Sequence, residues 1–153
     1  LALPTLALKA LSQVQRPVEA GDVLVYSAGG QRGQAIRPEN LQVNNSVQVL
    51  PQNKTEDTKN LIQLVRIAPG QGVEGLVAYS AICTHLGCSV LASLGPNNNI
   101  ACPCHASLFD PRNDAAPVGG PANRPLPSLP IGVGPDGAVI ATGTFEAPIG
   151  PQS

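Results

Sequence analysis

The sequence predicts an all-β protein. Gly and Pro each occur 16 times among the 153 residues, which favours many turns and short strands. Apolar runs that alternate or are rich in β-branched residues are bounded by Gly, Pro and Asn, as is typical of strands. After Gly21 the apolar residues do not keep the 3.6-residue period of a helix over three turns, so little helix is expected.

The predicted strands follow one another along the chain. The first four runs are each long enough for one strand and end at turn-forming residues. They are Asp22–Tyr26, Ser46–Leu50, Leu61–Ile67 and Gly75–Tyr79. Near the end of the chain, Ile131–Val133 and Ala138–Ala141 flank a Pro-Asp-Gly turn at 135–137, which predicts a hairpin.

The segment from Ile82 to Pro130 differs from the strands on either side of it. It contains short apolar pieces, eight Pro, and every Cys and His of the chain. We expect it to form loops displayed by a β scaffold. The predicted organisation is an N-terminal arm at 1–20 and a single domain at 21–153, with these loops at about 82–130.

Composition and charge exclude some classes of partner. Nine Lys and Arg oppose ten Asp and Glu, and the net charge of −1 includes no basic block that could bind a phosphate backbone. No nucleic-acid partner is therefore expected. No run reaches the roughly 18 apolar residues of a membrane-spanning helix, which predicts that the chain as given is soluble. The apolar stretch Leu1–Leu11 is interpreted either as following a removed membrane anchor or as an arm packed on the domain.

The four Cys and two His form two short signatures. The first is Cys-Thr-His-Leu-Gly-Cys (83–88), the second is Cys-Pro-Cys-His (102–105), and each has one Cys and one His at ligand spacing plus one further Cys. Thiolates and imidazoles suit zinc or iron–sulfur chemistry rather than Ca²⁺ or Mg²⁺. A structural zinc site with two Cys and two His stays open, although it leaves Cys88 and Cys104 unexplained.

Both signatures resemble those of Rieske iron–sulfur proteins, which read Cys-Thr-His-Leu-Gly-Cys and Cys-Pro-Cys-His-Gly-Ser. The match extends to Ser107 and departs only at Ala106, where Gly is usual. If the backbone of Ala106 has a positive φ, its methyl group adds strain. The resemblance implies the Rieske fold, in which antiparallel sheets form a base domain with an inserted cluster-binding loop subdomain.

The resemblance also implies a cofactor, a [2Fe-2S] cluster, and its ligands. Cys83 and Cys102 would bind one iron, and His85 and His105 would bind the other. Replacing two thiolates by neutral imidazoles makes the cluster less negative and raises its reduction potential. The expected activity is one-electron transfer, and no side chain is assigned a catalytic role.

A disulfide between Cys88 and Cys104 is a further implication of the resemblance. Structural disulfides persist in oxidising spaces and are rare in the cytosol, which favours the extracytoplasmic, periplasmic face of the membrane. Rieske ferredoxins and the Rieske domains of ring-hydroxylating oxygenases generally lack the extra cysteine pair. Its presence in this sequence therefore favours the quinol-oxidising branch of the family.

Three neighbouring features match the family, and each has a simpler alternative. Leu86 matches a residue that shields the cluster at the tip that docks on a membrane partner; the alternative is core packing. Ser107 matches a residue whose hydroxyl bonds a cluster sulfur; the alternative is a turn hydrogen bond. Gly-Pro-Ala (120–122) resembles the start of the family's proline loop, which covers the cluster; the alternative is a surface turn.

The expected function is that of the iron–sulfur subunit of a bacterial cytochrome bc-type quinol:cytochrome c oxidoreductase, similar to bacterial Rieske proteins of the Thermus type. The expected partners are a cytochrome b-type subunit with its quinol, and a c-type cytochrome or similar electron acceptor of a membrane respiratory chain. Two alternatives are the Rieske subunit of another oxidase, such as arsenite oxidase, and a secreted structural zinc domain.

Overall fold

A four-stranded antiparallel sheet forms the first half of the fold. The computed structural model describes residues 16–68 and 72–152, so the apolar stretch Leu1–Leu11 of the predicted arm lies outside the described residues. The strands are ordered β1-β2-β3-β4 in the sheet. They span Leu24–Tyr26 (β1), Ser46–Pro51 (β2), Ile62–Arg66 (β3) and Leu76–Ser80 (β4), so each of the first four predicted runs forms a strand.

Helix is scarce, as the sequence predicts. In the described ranges it is limited to three 3₁₀ turns, at Pro38–Asn40, Thr58–Asn60 and Pro96–Asn98. No helix in these ranges is long and apolar enough to cross a membrane. The all-β fold class is therefore confirmed.

Strand β3 is buried on both faces, since its first four residues, Ile62 to Val65, are all buried. Ile62 and Leu64 pack into a core with residues of β1, β2, β4 and the C-terminal hairpin. Val65 packs into a second core, on the side of the cysteine-rich segment. Alternate side chains of a strand point to opposite faces, so one strand serves both cores.

The C-terminal hairpin closes the first sheet. Its strands, Ile131–Val133 (β8) and Val139–Ala141 (β9), pair antiparallel as predicted. A β-bridge joins Val23, before β1, to Ile140 of β9. The residues preceding β8 run along the other edge of the sheet, where the Leu129 N–H donates to the Ala78 carbonyl of β4 at 2.9 Å. Both edge strands thus have a hydrogen-bonded neighbour, which blocks edge-to-edge aggregation.

The cysteine-rich segment is more regular than the sequence suggests. It contains a three-stranded antiparallel sheet of Ile100–Ala101 (β5), Leu108–Asp110 (β6) and Ala116–Gly119 (β7). The expectation of loops alone was therefore wrong. These strands have two to four residues and β7 contains a proline, so they give no clear alternation or propensity signal.

The segment leaves and rejoins the first sheet at one point. The N–H of Ser80, the last residue of β4, donates to the Pro127 carbonyl at 2.8 Å, where the chain returns. The second core lies beneath the segment and contains Cys83, Cys102 and Phe109 together with Tyr79 of β4. The cysteine-rich loops therefore rest on a core that they share with the scaffold.

Candidate metal centre

The two signatures form two hairpins with the same closing hydrogen bond. In the first, the N–H of Cys83 donates to the Cys88 carbonyl at 2.7 Å; in the second, the N–H of Cys102 donates to the Ser107 carbonyl at 2.9 Å. In each loop the donor and acceptor residues are therefore five positions apart in the sequence. This hydrogen bond places the first Cys of each signature at the base of its loop, next to the second core, and the His two or three residues further out.

A disulfide joins the two loops. It links Cys88 to Cys104, with a Cα–Cα distance of 6.5 Å, which confirms the predicted pairing. The sulfurs of Cys88, Cys102 and Cys104 lie within 4.8 Å of one another. These three do not form the metal site, because two of them are bonded to each other. Their proximity shows instead that the disulfide lies beside the free thiol of Cys102.

The two remaining thiols are buried. The exposed fractions of Cys83 and Cys102 are 1% and 3%, and neither forms a disulfide. Burial raises the pKa of the Cys83 thiol, and the neighbouring Cys102 thiol raises it further. The His85 N–H, 3.4 Å from the Cys83 sulfur, acts in the opposite direction. Two thiolates at this depth need a compensating positive charge, which a bound metal supplies.

The two imidazoles lie nearer the surface than the thiols. His85 is half-buried and His105 is exposed. Their ring centroids are 5.2 Å apart, with the planes at 89° to each other. Two imidazoles that bind one tetrahedral metal at about 2.1 Å place their ring centroids roughly 5 Å apart. The two His are therefore spaced to share a metal ion.

The donor set as a whole fits a [2Fe-2S] cluster with mixed ligands. Two buried sulfurs and two more exposed imidazoles, on two loops joined by a disulfide, would provide a separate pair of ligands for each of two iron atoms. The structure brings all six side chains of the signatures together.

The residues next to the ligands occupy distinct positions. Leu86 is 57% exposed, so it is not a core residue. Ser107 is 1% exposed and its hydroxyl oxygen accepts the Ala122 N–H at 3.1 Å. A Cβ atom built on Gly120 would lie 2.5 Å from Cα of Ser107. The segment that begins at Gly120 therefore packs closely on the second loop and is not a free surface turn.

Two residues at the site were missed by sequence reasoning. Thr84 lies between two proposed ligands, and its hydroxyl donates to the Arg124 carbonyl at 2.7 Å. Gln63 of β3 is fully buried, and its side-chain nitrogen donates to the carbonyls of Leu91 and Ala92, just after the first loop. For Gln63, the available signal was a single Gln among the apolar residues of a predicted strand. Nothing in the sequence indicated the role of Thr84.

Comparison with known proteins agrees with this geometry. The sequence profile of the Rieske [2Fe-2S] domain matches residues 39–130. A Streptomyces lividans cytochrome bc1 complex Rieske iron–sulfur subunit is 34% identical over 133 residues, covering 76% of this chain and 78% of the relative. A Haloferax mediterranei protein assigned as the Rieske subunit of a respiratory nitrate reductase is 52% identical over 79 residues, or 52% of this chain. The chain spans 35% of that relative's length.

A solved structure gives the same result at the level of the fold. A chain from a hyperthermophilic respiratory Complex III superposes with a TM-score of 0.51 at 26% sequence identity, covering 91% of this chain and 92% of that chain. The fold and the site define an iron–sulfur protein. The chain belongs to the Rieske [2Fe-2S] domain family, and its cofactor is a [2Fe-2S] cluster.

Proposed function

We propose that this chain is the iron–sulfur subunit of a cytochrome bc-type quinol oxidoreductase and transfers single electrons. The observation that carries the proposal is the pairing of two buried thiols with two more exposed imidazoles on loops joined by a disulfide. The Streptomyces lividans relative is named as a cytochrome bc1 complex subunit, which supports the choice of complex.

The proposed ligands are Cys83 and Cys102 for one iron and His85 and His105 for the other. When bound, a cluster with two imidazole ligands supplies one-electron redox chemistry at roughly −150 to +300 mV. The buried thiols keep water from one side of the site. His105 is exposed and His85 is half-buried, so the imidazole side of the site would be accessible to a partner.

The electron donor and acceptor are part of the proposal. A quinol bound in a cytochrome b-type subunit would give one electron, and a c-type cytochrome or similar carrier would receive it. Leu86, an exposed apolar side chain next to His85, is suited to contact an apolar surface of the partner. The disulfide between Cys88 and Cys104 supports the periplasmic face as the location.

The proposed organisation is one Rieske domain at 21–153 with a cluster-binding subdomain at about 82–130. The hydrogen bond between Ser80 and Pro127 supports these limits, because it holds the two ends of the subdomain side by side on β4. The three-stranded sheet β5-β6-β7 lies entirely between them.

The cofactor part of the proposal is tested by analysis of the purified protein. We expect about two iron atoms and two acid-labile sulfides per chain, and an electron paramagnetic resonance signal after reduction with dithionite. A colourless protein that contains zinc and no sulfide would contradict the proposed function.

The choice of complex is tested on membranes. The tagged full-length protein is purified from detergent extracts of its native host, with quinol-dependent reduction of its cluster as the readout. Co-purification of a b-type cytochrome supports the proposal.

A second candidate is the Rieske subunit of a respiratory nitrate reductase. The higher identity of the Haloferax mediterranei relative over 52% of this chain favours it. A nitrate-reducing subunit in the purified complex, without cytochrome b, would decide for this candidate.

A further inference from the structure

The end of the chain lies across the first cysteine loop. A Cβ atom built on Gly150, which is buried, would lie 3.6 Å from Cγ2 of Ile82, at the start of the loop. A Cβ atom built on Gly87 would lie 3.4 Å from Cδ of Pro151. Residues 148–151, called here the C-terminal strap, therefore pass close to the loop at Ile82, next to Cys83, and at Gly87, next to Cys88.

The side chain of Arg124 fixes this strap in place. Its Nη1 donates to the Gly150 carbonyl at 3.0 Å and its Nη2 donates to the Pro148 carbonyl at 2.6 Å. Arg124 forms no ion pair with any described residue. Its planar guanidinium instead binds two carbonyls of the strap, a geometry that the single ammonium group of Lys cannot reproduce.

The backbone of Arg124 holds the first loop itself. Its carbonyl accepts the hydroxyl hydrogen of Thr84 at 2.7 Å, and Thr84 is only 7% exposed. Thr84 lies between Cys83 and His85 in sequence, so this bond reaches the part of the loop that carries both proposed ligands. Arg124 thus contacts the loop through its backbone and the strap through its side chain, and the strap returns to the loop at Gly87.

We propose that Arg124 is a positioning residue that keeps the cluster in its site by holding the C-terminal strap against the first loop. The proposal rests on the ligand set of the proposed function. Release of iron requires the loop to move away from the second loop, and the disulfide restrains only its far end, at Cys88. The strap restrains the first loop at its start, Ile82, and at Gly87, the residue before Cys88. Loss of these contacts lowers the free energy of local opening.

The test compares the rate of iron release with the rate of unfolding in the protein purified with its cluster. Iron release to the colourless chelator EDTA is followed by the loss of the visible absorbance of the cluster, and unfolding in denaturant by circular dichroism. Arg124→Gln should release iron about tenfold faster than wild type, because two charge-assisted hydrogen bonds are lost, with a much smaller change in the unfolding rate.

A chain ending at Ala147 should show the same increase. Adding Arg124→Gln to that shortened chain should produce no further increase, because both changes remove one restraint. If Arg124→Gln does not fold, the rates of iron release and of unfolding of the shortened chain alone test the proposal.

Arg112→Gln is the matched control. Arg112 also donates to loop carbonyls, those of Asn97 and Asn98, but it bonds neither the first cysteine loop nor the strap. Its release rate should stay at the wild-type value.

Three results would overturn the proposal. They are wild-type release from Arg124→Gln, equal acceleration of release and unfolding, and additive effects of the two changes. Failure of the proposed function looks different, since the wild-type protein itself would then lack iron and sulfide.

Discussion

Ala106 has a backbone φ of +59°, in the left-handed region. It follows His105 and is the position at which the second signature departs from the family pattern. A side chain in this region costs roughly 1–2 kcal/mol, because Cβ approaches the following carbonyl oxygen. The strain that we expected at Ala106 if its φ were positive is therefore present.

Replacing Ala106 by Gly should stabilise the protein. We expect a gain of about 0.5–1 kcal/mol, since relief of the strain exceeds the greater unfolded-state entropy of Gly. Thermal unfolding of the cluster-loaded protein measures it. Ala28→Gly is the control, because Ala28 is exposed and is not among the described residues with positive φ. A gain no larger than that of the control would contradict the expectation.

Tyr79 links the two sheets through its hydroxyl. The hydroxyl donates to the Pro111 carbonyl at 2.7 Å, from β4 to the turn after β6. Burial raises the pKa of Tyr79 well above its ordinary value, and the nearby carboxylates of Asp114 and Asp110 raise it further. The phenol therefore stays protonated in the folded protein at pH values where it ionises in the unfolded chain.

The effect of Tyr79→Phe on stability should depend on pH in a defined direction. At pH 7 the lost hydrogen bond should cost about 1 kcal/mol. Above about pH 10 the unfolded wild type releases the Tyr79 proton while the folded wild type keeps it, so the wild type loses up to about 1.4 kcal/mol per pH unit from this group. The phenylalanine variant lacks this loss.

The two proteins should therefore approach equal stability near pH 11. Urea unfolding of both between pH 7 and 11 tests this, because the other ionising groups are common to both and cancel in the difference. A stability difference that stays constant over this range would contradict a raised pKa of Tyr79 in the folded protein.

At the scale of elements, the site is built from three loops that approach one another closely. The two cysteine hairpins have the same closing hydrogen bond, and the segment starting at Gly120 packs on the second of them. Gly120 has a φ of +75°, and a Cβ atom there would lie 2.5 Å from Cα of Ser107 and 2.6 Å from the Ala106 carbonyl oxygen. These are backbone atoms, so they cannot move aside as a flexible side chain can.

Gly120→Ala should therefore displace this segment from the second loop. We expect a loss of about 2–3 kcal/mol in unfolding free energy, from backbone strain and overpacking, together with faster loss of the cluster. Gly30→Ala is the matched control, because a Cβ atom there would meet nothing within 4 Å and its φ is not positive. Equal stabilities of the two variants would show that the close approach has no energetic consequence.

Hydrogen bonds of two glutamine side chains also connect the first loop to the first sheet. Gln63 donates to the carbonyls that follow the loop, and Gln48 of β2 donates to the Gln63 side-chain oxygen at 3.1 Å. No described buried side-chain nitrogen or oxygen lacks a hydrogen-bond partner. A satisfied network of this kind fixes the register between the first sheet and the loop that carries His85.

At the scale of the whole molecule, the site is an insertion into a closed scaffold. The subdomain leaves and re-enters at β4, and a disulfide joins its two cysteine loops. The cysteines of the disulfide are 16 residues apart, so in the unfolded chain the bond closes a short loop.

The double substitution Cys88→Ala and Cys104→Ala should destabilise the protein. Removing a closed loop of this size costs about 3 kcal/mol. Chemical denaturation of the variant and the wild type, both without reductant, measures the loss. The absorbance of the cluster should disappear at lower denaturant than in the wild type. Unchanged stability and cluster retention would show that the shared core alone holds the loops together.

The sequence by itself determined the fold class, the strands of the first sheet, the final hairpin and the choice of proposed metal ligands. Each of these depends on a local signal: alternation and turn residues for the strands, and fixed ligand spacing for the Cys and His. The spacing within each signature reflects short loops, whose geometry depends little on the rest of the chain.

The tertiary structure decided the features that join residues distant in sequence. The strands β5, β6 and β7 are too short to show a pattern and form only because their neighbours supply hydrogen bonds. The positive φ of Ala106 and the approach of Gly120 to Ser107 result from packing between loops. The contacts of Arg124 with Thr84 and the C-terminal strap likewise link segments 24 to 40 residues apart, for which a single sequence contains no local signal.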